Sequence, residues 1–564
     1  DRLAWLTGFT GSAGMAAVGR EKAAVFTDGR YTLQAEAEVD GTLYERRHLT
    51  GAPITQWIAE TLSTGDRLGY DPWLMTPHQV SRIKAACAKV GAELVALDAN
   101  PLDAAWETLS GQPPPPLAPV RPLEDAYTGE SAAAKRRRMA ELLGAEGADA
   151  LVVTQPDSIA WLLNLRGADV PFTPFALSFC VLKSDATVKW FIDARKLTRD
   201  ARAALDAEVA VLAPDALGPA LDELGAAGLT VRADPATAAA WIDARLTAAG
   251  AKVQRLEDPC QLAKARKNPV QRAGMRAAHA RDGAAVAKFL AWLAVHAGNG
   301  GVGEIAAADT LEGFRREHAL FRGLSFPTIS GAGPNGAIVH YRVTPATERA
   351  LEPGSLYLVD SGAQYPDGTT DITRTLAIGT PTADMCRHFT LVLKGHIALA
   401  RAVFPKGTSG SQLDVLARAA LWRAGLDYDH GTGHGVGSFL SVHEGPQRIS
   451  KMPNTVALEP GMVISNEPGY YRSGHYGIRI ENLVAVTEAS GEAGRAGFLA
   501  FETLTLAPID RELIDTALLD ADEIAWLDGY HARVAEALAP QLSGADAAWL
   551  ASATAPLSGV AGAS

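Results

Sequence analysis

The sequence predicts an α/β protein in which two homologous α/β domains precede a larger domain of strands and helices. Three observations indicate this plan: an internal repeat in the first half, a run of prolines between its two copies, and short apolar, strand-like runs that end in acidic residues in the second half. At 564 residues the chain also exceeds the size of one hydrophobic core, so we expect three or four structural units.

The internal repeat occupies the first half of the chain. The sequence DRLAWLTG at residues 1–8 recurs as DSIAWLLN at residues 157–164, and FTDGR at residues 26–30 recurs as FIDAR at residues 191–195. Because both landmarks keep their order, the two stretches share one plan of strands and helices. We therefore expect two homologous α/β domains.

A proline-rich segment, QPPPPLAP at residues 112–119, lies between the two copies. Consecutive prolines cannot continue a helix or a central strand, so they predict an extended spacer. We expect an N-terminal domain over residues 1–120, a second domain over 121–263, a third over 264–510 and a helical C-terminal extension over 511–564. Because the chain starts at Asp1 inside a repeated motif, we expect natural N-terminal residues, with any targeting signal in them, to be missing.

Composition and charge narrow the class of protein. Apolar content of 47% and charged content of 21% are typical of a globular protein, and a net charge of −12 opposes binding to nucleic acid or to an anionic membrane. No run of eighteen apolar residues predicts a membrane span. The cysteines have no paired spacing and predict reduced thiols in a cytoplasmic protein; they are Cys87, Cys180, Cys260 and Cys386.

Four segments predict local structure. The basic run KRRR at residues 135–138 begins a helix-like segment, and we expect a solvated helix face rather than a nucleic-acid patch. Residues 273–296 predict a helix and residues 501–506 a strand. Aromatic residues of the C-terminal extension are expected to pack in a small helical core; they are Trp526, Tyr530, His531 and Trp549.

Five residues of the third domain are typical metal ligands: Asp360, Asp371, His434, Glu467 and Glu481. The acidic residues lie at the ends of apolar, strand-like runs or after turns, and the histidine lies among glycines in HGTGHGVG at residues 430–437. Each one alone is also typical of a turn or loop. Together they predict a site for two divalent cations, since burying these carboxylates without cations would cost several kcal/mol each.

The first two of these residues are expected to meet through a hairpin. Asp360 ends the apolar run SLYLVD, and Asp371 follows eleven residues later after a turn rich in glycine, proline and aspartate. Such a turn folds a second strand back beside the first. Both carboxylates would then lie at one place.

At these positions the chain resembles the Xaa-Pro aminopeptidases, or aminopeptidase P, in their long three-domain cytosolic form. The phrases that carry the resemblance are DSGAQY at residues 360–365, HGTGHGVG at 430–437, NEPGYY at 466–471 and GIRIEN at 477–482. The resemblance extends over nearly the whole chain. It implies two creatinase-like α/β domains followed by a pita-bread metallopeptidase domain, and cleavage of the bond between an N-terminal residue and a following proline in peptides.

The same resemblance implies roles for the ligands. Two manganese ions, with zinc or cobalt as alternatives, would be bridged by a hydroxide. Asp360 would chelate one ion, and His434 and Glu467 would bind the other. Asp371 and Glu481 would bridge both ions.

Further site residues are implied in the same way. As isolated residues, His340, His430 and His443 are ordinary polar side chains. In the family, the matching histidines line the substrate cleft and bind the peptide carbonyl and the proline side of the substrate. Glu467 is the implied proton shuttle to the leaving nitrogen, and Arg479 the implied residue that orients the ligands.

Related activities remain as alternatives. Prolidases use the same ligands on Xaa-Pro dipeptides, and pseudo-peptidases bind peptides or histones without catalysis after losing ligands. The intact ligand set excludes creatinase, which lacks the metals, and the two leading domains disfavour methionine aminopeptidase. The phrase VHEGP at residues 442–446 favours aminopeptidase P over prolidase.

An oligomer is also expected. Apolar residues between Asp414 and Gly425 recur at helical spacing, and Trp422 lies beside that apolar stripe. A large aromatic at this place is either a packing edge or an interface anchor. The family's dimers form through their catalytic domains, so we expect a homodimer with Trp422 as a candidate anchor.

Overall fold

The structure, a computed structural model, describes residues 2–490 and 496–557. The chain forms two compact units. Unit 1 contains Asp1–Leu123, Glu130–Val170 and Phe175–Cys260, and unit 2 contains Glu124–Gly129, Pro171–Pro174 and Gln261–Ser564. Asp1, the first residue of the predicted repeat, and residues 558–564 of the expected extension lie outside the described residues. No helix in the described ranges is long and apolar enough to cross a membrane.

The α-helices are numbered in chain order. They are α1 (Arg2–Thr7), α2 (Thr32–Glu38), α3 (Ile54–Thr61), α4 (Pro77–Lys89), α5 (Pro101–Leu109), α6 (Asp125–Thr128), α7 (Ala132–Ala145), α8 (Pro156–Leu162), α9 (Arg199–Ala204), α10 (Leu217–Ala226), α11 (Ala240–Ala249), α12 (Pro259–Ala265), α13 (Pro269–His296), α14 (Glu304–Arg316), α15 (Ala383–Ala400), α16 (Gly410–Arg423), α17 (Ala521–Leu538) and α18 (Gly544–Ala553).

The β-strands are numbered in the same way. They are β1 (Gly14–Val18), β2 (Ala23–Thr27), β3 (Glu45–His48), β4 (Arg67–Tyr70), β5 (Glu93–Ala96), β6 (Arg121–Pro122), β7 (Ala150–Val153), β8 (Leu165–Arg166), β9 (Phe179–Lys183), β10 (Val188–Phe191), β11 (Val209–Leu212), β12 (Thr230–Ala233), β13 (Lys252–Gln254), β14 (Gly323–Leu324), β15 (Ile329–Ala332), β16 (Ser355–Ser361), β17 (Ala363–Tyr365), β18 (Gly368–Thr369), β19 (Ile372–Ile378), β20 (Val403–Pro405), β21 (Gly433–Gly435), β22 (Glu444–Ile449), β23 (Val463–Asn466), β24 (Gly469–Arg472), β25 (Tyr476–Arg479), β26 (Asn482–Glu488) and β27 (Phe498–Thr503).

Unit 1 contains one strand arrangement twice. In the first copy, β1 and β2 are antiparallel and β3 runs parallel to β2. In the second copy, β9 and β10 are antiparallel and β11 runs parallel to β10. Each copy is followed by a parallel pair, β4 with β5 and β12 with β13. The predicted pair of homologous α/β domains is confirmed.

The landmarks of the repeat have the same structural role in both copies. Phe26 on β2 and Phe191 on β10 are fully buried. The acidic and basic residues that follow each strand form a local ion pair, with 2.7 Å between Asp28 and Arg30 and 2.6 Å between Asp193 and Arg195. Each pair closes the turn that leaves the strand.

The structure corrects the prediction that the basic run at residues 135–138 forms a solvated helix face. The expected solvated face is wrong for Lys135 and Arg136, which are 1% exposed on α7. Lys135 Nζ donates to Trp161 O at 3.1 Å and to Asn164 Oδ1 at 2.5 Å, and Arg136 is paired with Asp206 at 2.5 Å. Buried cations are tolerated only with such partners, so these two residues hold unit 1 together.

Unit 2 is built around antiparallel sheets. The largest has the strand order β20-β27-β26-β23-β21-β22, and three smaller ones contain β15-β16-β19, β14-β17-β18 and β24-β25. Helix α13 includes the predicted helix at residues 273–296, and Asn268 caps its first turn. The strand predicted at residues 501–506 overlaps β27, which begins and ends three residues earlier, so residues 504–506 are not strand.

The C-terminal extension packs as predicted. Tyr530 and His531 on α17 are buried, and Trp526 and Trp549 lie against the same core cluster of unit 2. The extension is therefore part of the core of unit 2. In the same unit, helices α15 and α16 pack on each other.

One backbone contact fixes a loop next to β25. A Cβ atom built on Gly477 would lie 1.7 Å from the carbonyl oxygen of Gly336 in the 3-10 helix Gly333–Ala337. Only glycine fits at such a distance. The turn that follows this 3-10 helix, at residues 338–340, is thereby held against the strand that leads to Glu481.

Candidate metal centre

The predicted hairpin between Asp360 and Asp371 is present. Strands β16 and β19 are antiparallel, and Asp360 faces Thr373 in their register. Asp371 directly precedes β19. The small strands β17 and β18 form the connection, so a second hairpin lies between the two ligands. Both carboxylates are buried at the same end of this strand pair.

A second strand pair supplies the two glutamates. Strands β23 and β26 are antiparallel, with Asn466 opposite Asn482. Glu467 follows the first of these residues and Glu481 precedes the second. The two glutamates therefore leave the sheet at neighbouring positions.

His434 lies on β21, the next strand of that sheet. Ser465 joins it to Glu467: its hydroxyl accepts from the backbone N–H of His434 at 2.9 Å and donates to Glu467 Oε1 at 3.0 Å. His434 Nε2 lies 3.5 Å from Asp371 Oδ2 and 3.5 Å from Glu467 Oε1. The imidazole therefore faces carboxylates from both strand pairs.

Thr373 connects the two strand pairs directly. Its hydroxyl donates to Glu481 Oε2 at 2.7 Å, and its carbonyl accepts from the backbone N–H of Glu481 at 3.2 Å. One ligand-type atom from each of Asp371, His434 and Glu481 lies within 4.8 Å of the others. Residues more than a hundred positions apart thus converge at one point.

Asp360 is held by a buried guanidinium. Arg479 donates from Nη2 to Asp360 Oδ2 at 2.6 Å, and its Nε donates to the hydroxyl of Thr373 at 3.1 Å. Arg479 itself is 1% exposed. The residue predicted to orient the ligands contacts one of them directly.

Burial and neighbouring negative charges raise the pKa values of three carboxyl groups in the cluster. Burial, then the charges of Asp360 and Glu467, raises the pKa of Asp371 well above its ordinary value. Burial, then the charge of Asp371, does the same to the pKa of Glu481, and burial raises the pKa of Glu467. The positive charge of Arg479 opposes these shifts at Asp371 and Glu467 but does not cancel them.

Two observations show that the cluster fits metal ions. Asp360 Oδ1 and Glu481 Oε1 are buried and accept no hydrogen bond from any residue that the structure describes. His434 Nδ1 lies 3.0 Å from the carbonyl oxygen of Gly435, so Nδ1 carries the proton and Nε2 offers a lone pair towards the carboxylates. Unpaired anionic oxygens and an oriented imidazole are what a divalent cation requires.

His430 belongs to a hydrogen-bonded chain that reaches the cluster. Its Nδ1 donates to the carbonyl of Gly431 at 2.8 Å, so its Nε2 accepts from the hydroxyl of Tyr471 at 2.9 Å. The same hydroxyl accepts from Arg479 Nη1 at 2.6 Å. Burial raises the pKa of Tyr471 to about 12, so the hydroxyl stays protonated. His430 is thereby connected to Asp360 through two side chains.

His443 lies beside the imidazole of the cluster. The ring centres of His434 and His443 are 4.3 Å apart, and His443 is exposed. The next residue, Glu444, is buried and paired with Lys264 at 3.0 Å. This ion pair fixes the start of β22, which directly follows His443.

His340 lies half-buried in the turn after the 3-10 helix Gly333–Ala337. Buried Glu304, the first residue of α14, organises the surrounding loop. Its carboxylate accepts from Ala332 N at 2.6 Å, Tyr341 Oη at 3.0 Å and Arg349 N at 3.0 Å. The loop is thus tied down before and after His340.

Sequence reasoning missed four residues of this arrangement: Glu304, Thr373, Ser465 and Tyr471. Thr373 had a signal, since it lies two residues after Asp371 in a strand and so points to the same face. Tyr471 ends the phrase NEPGYY, which contains the candidate ligand Glu467. Glu304 has no local signal, because its partners lie 28 to 45 residues further along the chain.

Comparison with known proteins identifies the families to which parts of the chain are similar. Residues 273–488 match metallopeptidase family M24, and residues 497–557 match the C-terminal region of that family. Residues 1–102 and residues 111–271 each match a creatinase/prolidase N-terminal domain. The α/β fold class predicted from the sequence is confirmed.

Two relatives match almost the full chain. Aminopeptidase P2 of Arabidopsis thaliana is 41% identical over 593 residues, covering 99% of this chain and 83% of the relative. The crystal structure of X-prolyl aminopeptidase from Caenorhabditis elegans, described as a cytosolic enzyme with a di-nuclear active site, has a TM-score of 0.93 at 36% identity and covers 99% of this chain and 92% of that chain. The chain belongs to metallopeptidase family M24 and, within it, to the Xaa-Pro aminopeptidases.

A shorter relative shares only the fold. The Xaa-Pro dipeptidase of Bacillus anthracis matches with a TM-score of 0.54 at 22% identity, covering 67% of this chain and 99% of that chain. A third of the present chain thus has no counterpart in that structure.

The raised carboxyl pKa values predict proton release on metal binding. In the metal-free protein, the pKa values of Asp371 and Glu481 lie well above the ordinary values of 3.8 and 4.5. These groups therefore contribute stability below about pH 4, and this contribution is lost as the pH rises through the raised values. Divalent cations replace the protons, so metal affinity should increase with pH across the same window.

Calorimetry checks this expectation. Mn²⁺ is titrated into the metal-free protein at a series of pH values from about 4 upward, in buffers of different ionisation enthalpy. Net proton release is expected while the pH lies below the raised pKa values, and it should disappear above them. Glu481→Gln, which removes one of the two groups, should release fewer protons. Equal heats in all buffers would contradict the shifted acidities.

Proposed function

We propose that the protein is a dinuclear metal-dependent aminopeptidase that removes an N-terminal residue from peptides with proline in the second position. The observation that carries the proposal is the convergence of four carboxylates and one imidazole, with buried carboxylate oxygens that lack partners among the described residues. Near full-length similarity to Xaa-Pro aminopeptidases supports the same conclusion.

The ligand roles are part of the proposal. Asp360 would hold one ion, His434 and Glu467 the other, and Asp371 and Glu481 both. Oxygen-rich sites with one imidazole suit manganese, with zinc or cobalt as alternatives. When bound, the two ions would lower the pKa of water and polarise the scissile carbonyl.

The remaining chemistry falls to side chains of this chain. The bond before proline is a tertiary amide without an N–H group, so its nitrogen must gain a proton as it leaves. Glu467 is proposed as the proton shuttle, because its side chain is 17% exposed whereas that of Asp371 is 5% exposed. His340, His430 and His443 are proposed to bind the substrate, and Arg479 keeps Asp360 oriented.

Prolidase and pseudo-peptidase activities are less well supported. The two near full-length relatives described above carry aminopeptidase names, and the dipeptidase match leaves a third of the chain unmatched. Pseudo-peptidases lose metal ligands, whereas this chain retains all five. Hydrolysis of matched Xaa-Pro and Xaa-Pro-Xaa peptides by metal-stripped protein, resupplied with each metal in turn, separates the alternatives. Cleavage restricted to dipeptides would favour prolidase.

Removal of one proposed bridging charge tests the metal centre. Asp371→Asn keeps the shape of the side chain but not the charge, so bound metal should fall from about two ions per chain and turnover of an Xaa-Pro-Xaa peptide should be lost. Asp510→Asn is the control, because it neutralises a half-buried carboxylate that accepts hydrogen bonds from the backbone of Ala377 and Glu512. Near-normal turnover by Asp371→Asn would refute the ligand assignment.

His340 tests the substrate-binding role. His340→Ala should lower turnover by roughly 10²–10⁴-fold, the range for a lost acid–base or oxyanion contact, while both metals stay bound. His475→Ala, which alters an exposed histidine between β24 and β25, should leave turnover unchanged. Loss of one ion in His340→Ala would instead make His340 a ligand.

We also propose a cytoplasmic homodimer formed through unit 2. On α16, Leu413, Ala417 and Leu421 are buried, whereas Trp422 is 48% exposed. An exposed aromatic beside a covered apolar face is a candidate interface anchor.

Light scattering tests the dimer. Trp422→Glu should shift the particle to monomer mass while secondary structure persists. Met452→Glu, at a residue that is 50% exposed, is the control and should leave the mass unchanged. A wild-type protein that is monomeric at micromolar concentration would overturn this part of the proposal.

A further inference from the structure

Arg374 lies behind the metal centre and links it to the C-terminal extension. It is three residues after Asp371 on β19 and is 2% exposed. Its guanidinium donates to six acceptors, which are Pro508 O at 2.8 Å, Thr373 O at 2.8 Å, Glu481 O at 2.7 Å, Asn482 Oδ1 at 2.8 Å, Ala507 O at 2.8 Å and Tyr530 Oη at 2.9 Å. Three of these acceptors, on Thr373, Glu481 and Asn482, belong to the segments that carry Asp371 and Glu481.

The partners of Arg374 are unusual for a buried cation. Within the described part of the chain, no carboxylate lies within 4.0 Å of it, and backbone carbonyls, an amide and a phenol satisfy it instead. Burial lowers the pKa of Arg374. A buried guanidinium in this position needs hydrogen-bond acceptors at fixed positions, since each lost acceptor would leave a buried donor unsatisfied.

Tyr530, on α17 of the C-terminal extension, supplies one of these acceptors. Its hydroxyl accepts from Arg374 and donates to the carbonyl of Ala507 at 2.8 Å. The ring is 1% exposed and stacks on Trp526, with 5.5 Å between ring centres and 4° between planes. The hydroxyl therefore has a fixed position, and Arg374 has a fixed acceptor.

We infer that Tyr530 is a positioning residue for the metal centre, acting through Arg374 to hold the backbone of Thr373 and Glu481. The inference rests on the proposed ligand roles of Asp371 and Glu481. Arg374 ties together the two strands that bear these carboxylates, and Thr373 also donates to Glu481 Oε2. The separation of the two proposed bridging ligands thus depends on a side chain of the C-terminal extension.

Metal binding by the stripped protein provides the test. Tyr530→Phe keeps the ring and its stacking but removes the hydroxyl. Titration with Mn²⁺ alone should show roughly tenfold weaker binding or more, the usual effect of losing a partner beyond the ligands themselves. The kcat on an Xaa-Pro-Xaa peptide at saturating Mn²⁺ should fall while KM changes little.

Tyr357→Phe is the matched control. Tyr357 is also fully buried, and its hydroxyl is bonded to Ser330 rather than to Arg374. It should lower the unfolding midpoint of the metal-free protein about as much as Tyr530→Phe and leave Mn²⁺ affinity unchanged. Equal Mn²⁺ affinity in the two variants would overturn the inference.

A second variant keeps the test decisive if Tyr530→Phe folds poorly. Arg374→Lys retains the positive charge but loses the planar, forked set of guanidinium donors. It should weaken Mn²⁺ binding at least as much as Tyr530→Phe does. The double variant should bind Mn²⁺ no more weakly than Arg374→Lys alone, because both changes break one chain of contacts. Additive losses would show that Tyr530 acts independently. If Asp371→Asn also retains both ions, the proposed ligand assignment is wrong. That outcome differs from a failure of the role inferred for Tyr530, in which Asp371→Asn loses metal and Tyr530→Phe does not.

Discussion

The concentration of like charge at one buried point is the constraint on which the rest of unit 2 depends. Two unit charges about 4 Å apart repel by about 4 kcal/mol at an effective dielectric constant of about 20. Four carboxylates therefore cannot be brought together by side-chain contacts alone. They are held because each one ends or adjoins a hydrogen-bonded strand, and because buried Arg479 and Arg374 bind the same strands. Under the proposed ligand assignment, cations would complete an arrangement that the backbone already enforces.

Much of this arrangement could be predicted from the sequence. The Asp360–Asp371 hairpin followed from a strand-like run, a turn and eleven residues of spacing, all of which are local. The repeat in unit 1 was visible because its landmarks kept their order. The burial of Lys135 and Arg136 was missed, because their partners lie 26 to 70 residues away and a charged run is expected to be solvated until those partners are known.

The connections between the ligands could not be predicted for the same reason. Thr373 contacts Glu481 across 108 residues, and Arg374 contacts Tyr530 across 156. No periodicity or spacing rule spans such distances, because they are set by how sheets and helices pack and not by local conformation. The resemblance to a family supplied the ligand set, whereas the geometry supplied the side chains that hold it.

The contact between Gly336 and Gly477 has a consequence for how the site can change over evolution. Backbone lies on backbone there, with no side-chain layer that could be enlarged, trimmed or repacked. The backbone contact next to the His340 turn is therefore closed to gradual substitution. His443, in contrast, is exposed. New substrate preferences should accordingly arise around His443, while the two packed glycines stay constant.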